Sequence, residues 1–181
     1  MRTIEKWEQI KKTQLPKHLS LRLLRDLETL PLKDKGLNIN SSYYIHGLVG
    51  SGKTVIAAQL FEVYLRTAYL NAITVTAEFI TVPELLQKFR NCFNDKAISE
   101  NDLILKYSNC DYLVLDDFGA EKSTDYSLQC LYLIINNRYE KILPTVFTSN
   151  YDLDELADKL QDDRIPSRIG RMCVIIHKTP F

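Results

Sequence analysis

Gly47-Leu-Val-Gly-Ser-Gly-Lys-Thr54 fits the pattern GxxxxGK[ST], and it stands directly after the short apolar run Tyr43–His46 and ahead of a helical pattern. A strand, a glycine-rich turn and a helix start in that order make a phosphate-binding loop. Gly47, Gly50 and Gly52 let the backbone curl so that its amides, with those of Leu48, Val49 and Ser51, point at a phosphate. The start of the following helix adds partial positive charge. Lys53 reaches the β/γ oxygens in this reading, and the Thr54 hydroxyl ligates Mg²⁺.

Such a loop needs a carboxylate at the end of another buried strand to hold the metal. Tyr112-Leu-Val-Leu-Asp116-Asp117 supplies one. Asp116 is the expected Mg²⁺ holder, and Asp117 orients or deprotonates an attacking water. Many relatives of this class carry Glu at the second position; the shorter Asp117 sits farther from the water, which predicts slow turnover. A third signal is Pro144-Thr-Val-Phe-Thr-Ser-Asn150, an apolar strand ending in an amide that can hydrogen-bond the γ-phosphate or the water. Asn is also an ordinary turn residue. A fourth is Asp162-Asp-Arg164-Ile-Pro-Ser-Arg168-Ile-Gly-Arg171, whose arginines are candidates for delivery to another subunit's nucleotide.

Outward from these motifs the chain alternates short apolar runs with helical patterns. Tyr43–His46, Ile73–Thr76, Tyr112–Leu115, Thr145–Thr148 and Cys173–Ile176 read as five strands of a parallel α/β sheet. Thr81 with Glu84, and Asp152 with Glu155, have capping-box spacing at helix starts. A helix from about Thr124 to Glu140 carries Leu128, Leu131, Ile135 and Tyr139 at helical intervals. Ahead of the first strand, Ile4, Trp7 and Ile10 suggest one amphipathic helix, and Leu21, Leu24, Leu27 and Leu30 suggest a second, bounded by Pro16 and Pro31. The expected division is a short N-terminal helical arm at 1–40 and one core at 41–181. Packing helices are the bland reading of the arm, and a partner-binding segment the sharper one.

The chain has 181 residues, of which 45% are hydrophobic and a quarter charged, and its net charge is zero. That balance excludes DNA binding by bulk charge and fits one folded domain. The zero conceals segregation: +4 over residues 1–40, −8 over 111–163 and +4 over 164–181. No apolar stretch approaches the roughly 20 residues of a membrane span. Cys92, Cys110, Cys130 and Cys173 are widely spaced, without CxxC or a His at ligand spacing, so neither a zinc site nor a disulfide framework is favoured and a cytoplasmic setting is expected.

Taken together, GLVGSGKT, YLVLDDFGAE, LIINNRYE, PTVFTSN and DDRIPSRI, in this order and spacing, resemble the AAA+ ATPase core of DnaC-type bacterial helicase loaders, with the IstB transposition helpers as close relatives. The resemblance covers about residues 40–178. It implies a three-layer αβα P-loop NTPase with a five-stranded parallel sheet, and here a lid domain that is lacking or minimal. It implies ATP and Mg²⁺ as ligands, Asn150 as the sensor-1 residue, Arg168 as the trans-acting finger and Arg164 as its companion. It also implies self-assembly with ATP at subunit interfaces, single-stranded DNA along the inner surface, and a DnaB-like hexameric replicative helicase as cargo. Candidate DNA contacts are Lys122, Ser123 and Tyr126, then Lys88 and Arg90 beside Phe89 and Phe93, which pair cations with rings; core packing is the alternative for the two phenylalanines. The competing functions are a transposition helper acting on duplex DNA, a nucleoside or metabolite kinase, and a nucleotide-binding scaffold with little turnover.

Overall fold

A computed structural model describes residues 2–29, 37–92, 99–120 and 124–179. Helix α1 (Ile4–Gln14), a 3₁₀ turn (Leu15–Lys17) and α2 (Leu21–Thr29) lead into β1 (Ser42–Gly47) and the long α3 (Lys53–Leu70). Then follow β2 (Ala77–Thr81), α4 (Val82–Cys92), α5 (Glu100–Asn109), β3 (Tyr112–Phe118), α6 (Asp125–Glu140), β4 (Thr145–Ser149), α7 (Leu153–Leu160), α8 (Arg164–Met172) and β5 (Cys173–Lys178). All strand pairings are parallel, in the order β2-β3-β4-β1-β5.

Side-chain alternation on the strands sorts the core into two layers. Tyr112 and Val114 of β3, with Tyr43 and Ile45 of β1, point into a cluster with Ala57, Ala58 and Phe61 of α3. Leu113 and Leu115 point the other way, into a larger cluster with Leu85 and Phe89 of α4, Leu131 and Ile135 of α6, Leu156 of α7 and Ile169 of α8. A strand buried on both faces reads as a continuous apolar run, which is why β3 and β4 were visible in the sequence. Phe89 is core; Phe93 and Leu30 lie outside the described residues.

The N-terminal segment packs on the first layer. Trp7 is 2% exposed against Tyr69, and Leu15, Leu19 and Leu23 join the α3 cluster. Lys11 pairs with Glu62 of α3 as well as Glu8 of its own helix.

One strand differs from the sequence reading. Residues 73–76 are not β2: Ala72 adopts a left-handed φ of 59° and Ile73 N–H returns to the Ala68 carbonyl, closing the end of α3. The Asp111 carboxylate then takes both Thr76 N–H and its hydroxyl, at 2.7 and 2.8 Å, and ladder pairing begins at Ala77 opposite Tyr112. The β-branched run is a connector, and the strand is the following Ala-Glu-Phe-Ile-Thr. The helix starts at Thr124, Asp152 and Thr81 are as expected: the first two carry complete capping boxes, and Thr81 Oγ1 accepts from Glu84 N–H.

Candidate nucleotide site

In a parallel sheet, ligands bind in the crevice outside the carboxyl ends of the strands. Four sequence-predicted residues converge there: Lys53 and Thr54 from the first turn of α3 beyond β1, Asp116 from β3 and Asn150 just past β4. Lys53, 6% exposed, donates to the carbonyls of Gly47 and Leu48 at 2.8 and 2.9 Å and to Asn150 Oδ1 at 2.9 Å. Thr54 Oγ1 donates to Asp116 Oδ1 at 2.9 Å. One ammonium thus joins the phosphate loop to the end of β4, and one hydroxyl joins it to the end of β3.

The loop is shaped by two glycines in particular. A β-carbon on Gly47 would lie 2.0 Å from the Lys178 carbonyl oxygen, so no other residue fits where β1 meets β5. Gly52 holds φ at 83° as the N-cap of α3 and brings no side-chain cap. The first-turn N–H groups of α3 therefore face the loop's hollow without a capping side chain, which favours an anion. Leu48 and Val49 are 64% and 82% exposed, so their side chains face solvent and leave the loop's hollow to backbone groups. Ser51 is fully buried, and its hydroxyl has no hydrogen-bond partner among the described residues.

Asp116 is buried, and Thr54 and Thr148 hydroxyls both bond its Oδ1, at 2.9 and 2.6 Å. Burial pushes its carboxyl above the usual range; the two hydroxyls pull it down, and the neighbouring Asp117 charge pushes it up. Burial likewise lowers the Lys53 ammonium, opposed by the charges of Asp117 and Asp116. Among the described residues no three His, Cys, Asp or Glu side chains come together as a metal cage. The donor set suits Mg²⁺, which is commonly held by one or two carboxylates plus substrate phosphates. Thr54 and Asp116 would hold it, and when bound it supplies charge neutralisation at the phosphate oxygens.

A raised carboxyl opposes folding at neutral pH. Between its ordinary and raised values the folded state binds more protons than the unfolded, so this group's contribution to stability falls as pH rises through that window. Asp116→Asn keeps an oxygen for both hydroxyls and removes the buried charge. It is expected to raise the melting temperature at pH 7, by about 2–4 °C for each kcal/mol relieved, and to flatten the loss of stability above pH 4. A lower melting temperature in a well-folded variant would contradict this.

Asp117 is exposed, at a left-handed φ of 57° that is uncommon for a non-glycine residue. It occupies an irregular stretch where β3 slips register against β4 between Leu115 and Phe118. Its N–H donates to Thr148 Oγ1 at 3.0 Å.

The C-terminal arginines engage α6 and Asp162. Arg168 donates through Nε to Asn136 Oδ1 at 3.0 Å and through Nη2 to the Tyr132 hydroxyl at 3.3 Å, with its guanidinium 5.5 Å from the Tyr132 ring. Arg164 grips the Asp162 carboxylate through Nε and Nη2 and lies 5.1 Å over the same ring. The Arg164 bonds hold the Asp162 carboxyl below its ordinary value. Of the DNA candidates, Lys88 pairs with Glu84 on α4, Arg90 is exposed on the same helix, and the half-buried Tyr126 donates its hydroxyl to Glu100 Oε2 at 2.6 Å. Lys122 and Ser123 lie outside the described residues.

Three important residues were not singled out in the sequence. Thr148 and Ser149 precede Asn150 on β4; Ser149 Oγ donates to the Phe118 carbonyl at 2.8 Å and accepts from Tyr151 N–H at 3.1 Å. Arg138 is fully buried and bonds Thr145 Oγ1, the carbonyls of Tyr107, Cys110 and Pro144, and the Cys110 sulfur. Its position, seven residues after Leu131 and four after Ile134 on the apolar stripe of α6, was the available signal.

Fold and site together are those of a P-loop nucleotide-binding protein with a three-layer αβα core. More narrowly, the model of the IstB-like ATP binding protein family matches residues 1–179, and the chain belongs to that family. It is 30% identical over 125 residues to the replicative helicase loader DnaI of Bacillus subtilis, which covers 68% of this chain and 36% of that protein. It is 27% identical over 130 residues to the replicative helicase loader DnaC of Escherichia coli, covering 71% of this chain and 50% of that one. The chain thus spans half or less of these relatives' length. The crystal structure of the DnaC helicase loader superposes with a TM-score of 0.66 at 21% identity, over 90% of this chain and 93% of that one. Among the described residues no helix is long and apolar enough to cross a membrane.

Proposed function

We propose that this chain is a Mg²⁺-dependent ATPase of the helicase-loader type that self-assembles on ATP, binds single-stranded DNA and delivers a DnaB-like hexameric replicative helicase. The observation that carries the catalytic half is the convergence of Lys53, Thr54, Asp116 and Asn150 at three adjacent strand ends. Loop amides and Lys53 hold the phosphates, Asp117 and Asn150 position the water, and Arg168 completes a neighbour's site with Arg164 beside it. The short side chain of Asp117 makes turnover slow. The DNA surface assigned to Lys122, Ser123 and Tyr126, with Lys88 and Arg90 flanking, acts locally and gains strength additively across an assembly.

A second reading, a transposition helper on duplex DNA, draws on membership of the IstB-like family. Sizing the protein with a slowly hydrolysed ATP analogue tests the shared core of both. Wild type is expected to form oligomers only with the analogue, and Arg168→Ala to stay monomeric while binding nucleotide within about threefold of wild type. A wild type that remains monomeric with analogue, single-stranded DNA and a DnaB-type helicase all present would overturn the assembly switch. Oligomers that form on duplex DNA and ignore the helicase would select the second reading.

A further inference from the structure

The Thr148 hydroxyl sits between the two acidic residues of β3, and its hydrogen-bond directions are fixed. Its oxygen accepts the Asp117 N–H at 3.0 Å, so its own proton goes to Asp116 Oδ1 at 2.6 Å. The residue is fully buried on β4, which lies between the phosphate-loop strand and β3. It reaches Asp116 and Asp117 across the stretch where the β3–β4 ladder loses register, so no regular backbone pairing holds Asp117 at that point. Asp117 also carries the left-handed backbone that costs free energy unless its surroundings impose it.

We infer that Thr148 is a positioning residue that couples the two carboxylates, so that one hydroxyl both aims Asp116 at the metal and pins the backbone that presents Asp117. The inference rests on the nucleotide-binding reading above and deepens it. With Thr54 and Thr148 both bonding Oδ1, the carboxylate plane is set from two sides, by the loop helix and by β4. Supporting partners of this kind change metal affinity or activity by about 10–100-fold when removed. Losing the hydroxyl frees the Asp116 carboxylate to rotate and removes the acceptor of the Asp117 N–H, so metal use and water positioning fail together. A residue needed only for packing would instead be replaceable by an apolar side chain of the same shape.

Thr148→Val and Thr148→Ser separate these roles. The first keeps shape and loses the hydroxyl, and the second keeps the hydroxyl and loses a methyl. Titration of a fluorescent ATP analogue with and without Mg²⁺ reads the metal's contribution to binding directly, apart from turnover. Thr148→Val is expected to bind as wild type in EDTA, to need about tenfold or more Mg²⁺ for the same enhancement, and to lower kcat more than it changes KM; Thr148→Ser is expected to restore both. Should the valine variant misfold, Thr148→Ala against Thr148→Ser isolates the same hydroxyl at equal loss of the methyl. A wild-type Mg²⁺ response in the valine or alanine variant would overturn the coupling while leaving the nucleotide reading intact. Failure of the wild type itself to bind the analogue would overturn that reading, and the coupling with it.

Discussion

Lys53→Ala is expected to remove nucleotide binding, weakening it by about 100-fold or more, while the protein stays folded. A hydrogen bond to a charged group is worth about 1.5–3 kcal/mol, and each 1.4 kcal/mol is tenfold in affinity, so losing contacts to two phosphate oxygens accounts for a drop of that size. Folding survives because the buried ammonium is itself a desolvated charge, and its three acceptors are two loop carbonyls and an amide at the rim of the crevice. Titration with a fluorescent ATP analogue measures the loss. Asp117→Asn is the companion: it should bind as wild type and lose about 10²–10⁴-fold in turnover, the usual contribution of a positioned acid or base. Equal loss of binding in the two variants would contradict the division between phosphate holder and water positioner.

Arg138→Ala should produce the largest loss of stability, about 3–5 kcal/mol from a large-to-small change in a packed core that also strands buried acceptors. Among the described residues the guanidinium meets no carboxylate; it is satisfied by Thr145 Oγ1 and three carbonyls, which tie the end of α5 and the start of β4 to α6. Burial lowers its tendency to hold the proton, with the nearby Cys110 sulfur acting the other way. Lysine does not substitute, since an ammonium lacks the planar fork that reaches several acceptors at once. At about 2–4 °C per kcal/mol for a chain of this size, the midpoint should fall by about 10 °C. A shift below 2 °C in a thermal melt would show that Arg138 is a passenger in the core.

The fold was legible where burial on both faces writes a continuous apolar run, as in Tyr112–Leu115 and Thr145–Thr148, and where a capping box marks a helix start. It was not legible at β2, because the β-branched Ile73–Thr76 looks more strand-like than the Ala-Glu-Phe-Ile-Thr that forms the strand; the decision is made by Asp111, 35 residues away, capturing Thr76. Helix α5 was missed because its cap pairs Ser99 with Asp102 instead of Glu or Gln. Helix α8 was hidden by Pro166 in its first turn and Gly170 near its end. In the site, the loop announces itself through glycines whose spacing is a backbone requirement. Thr148 does not, since a hydroxyl on a buried strand has no period and its partners are 31 and 32 residues distant in sequence. Arg168 was found as a residue, but its resting place on Tyr132 and Asn136 depends on how α8 packs against α6.

The contact between Gly47 and Lys178 has a mechanical meaning. The first residue of the phosphate loop is wedged against the last residue of β5, with no room for a single methyl group between them. Close-packed interiors transmit displacement instead of absorbing it. A shift of the β5 end at Lys178 therefore cannot be taken up locally and passes to Gly47, the first residue of the loop.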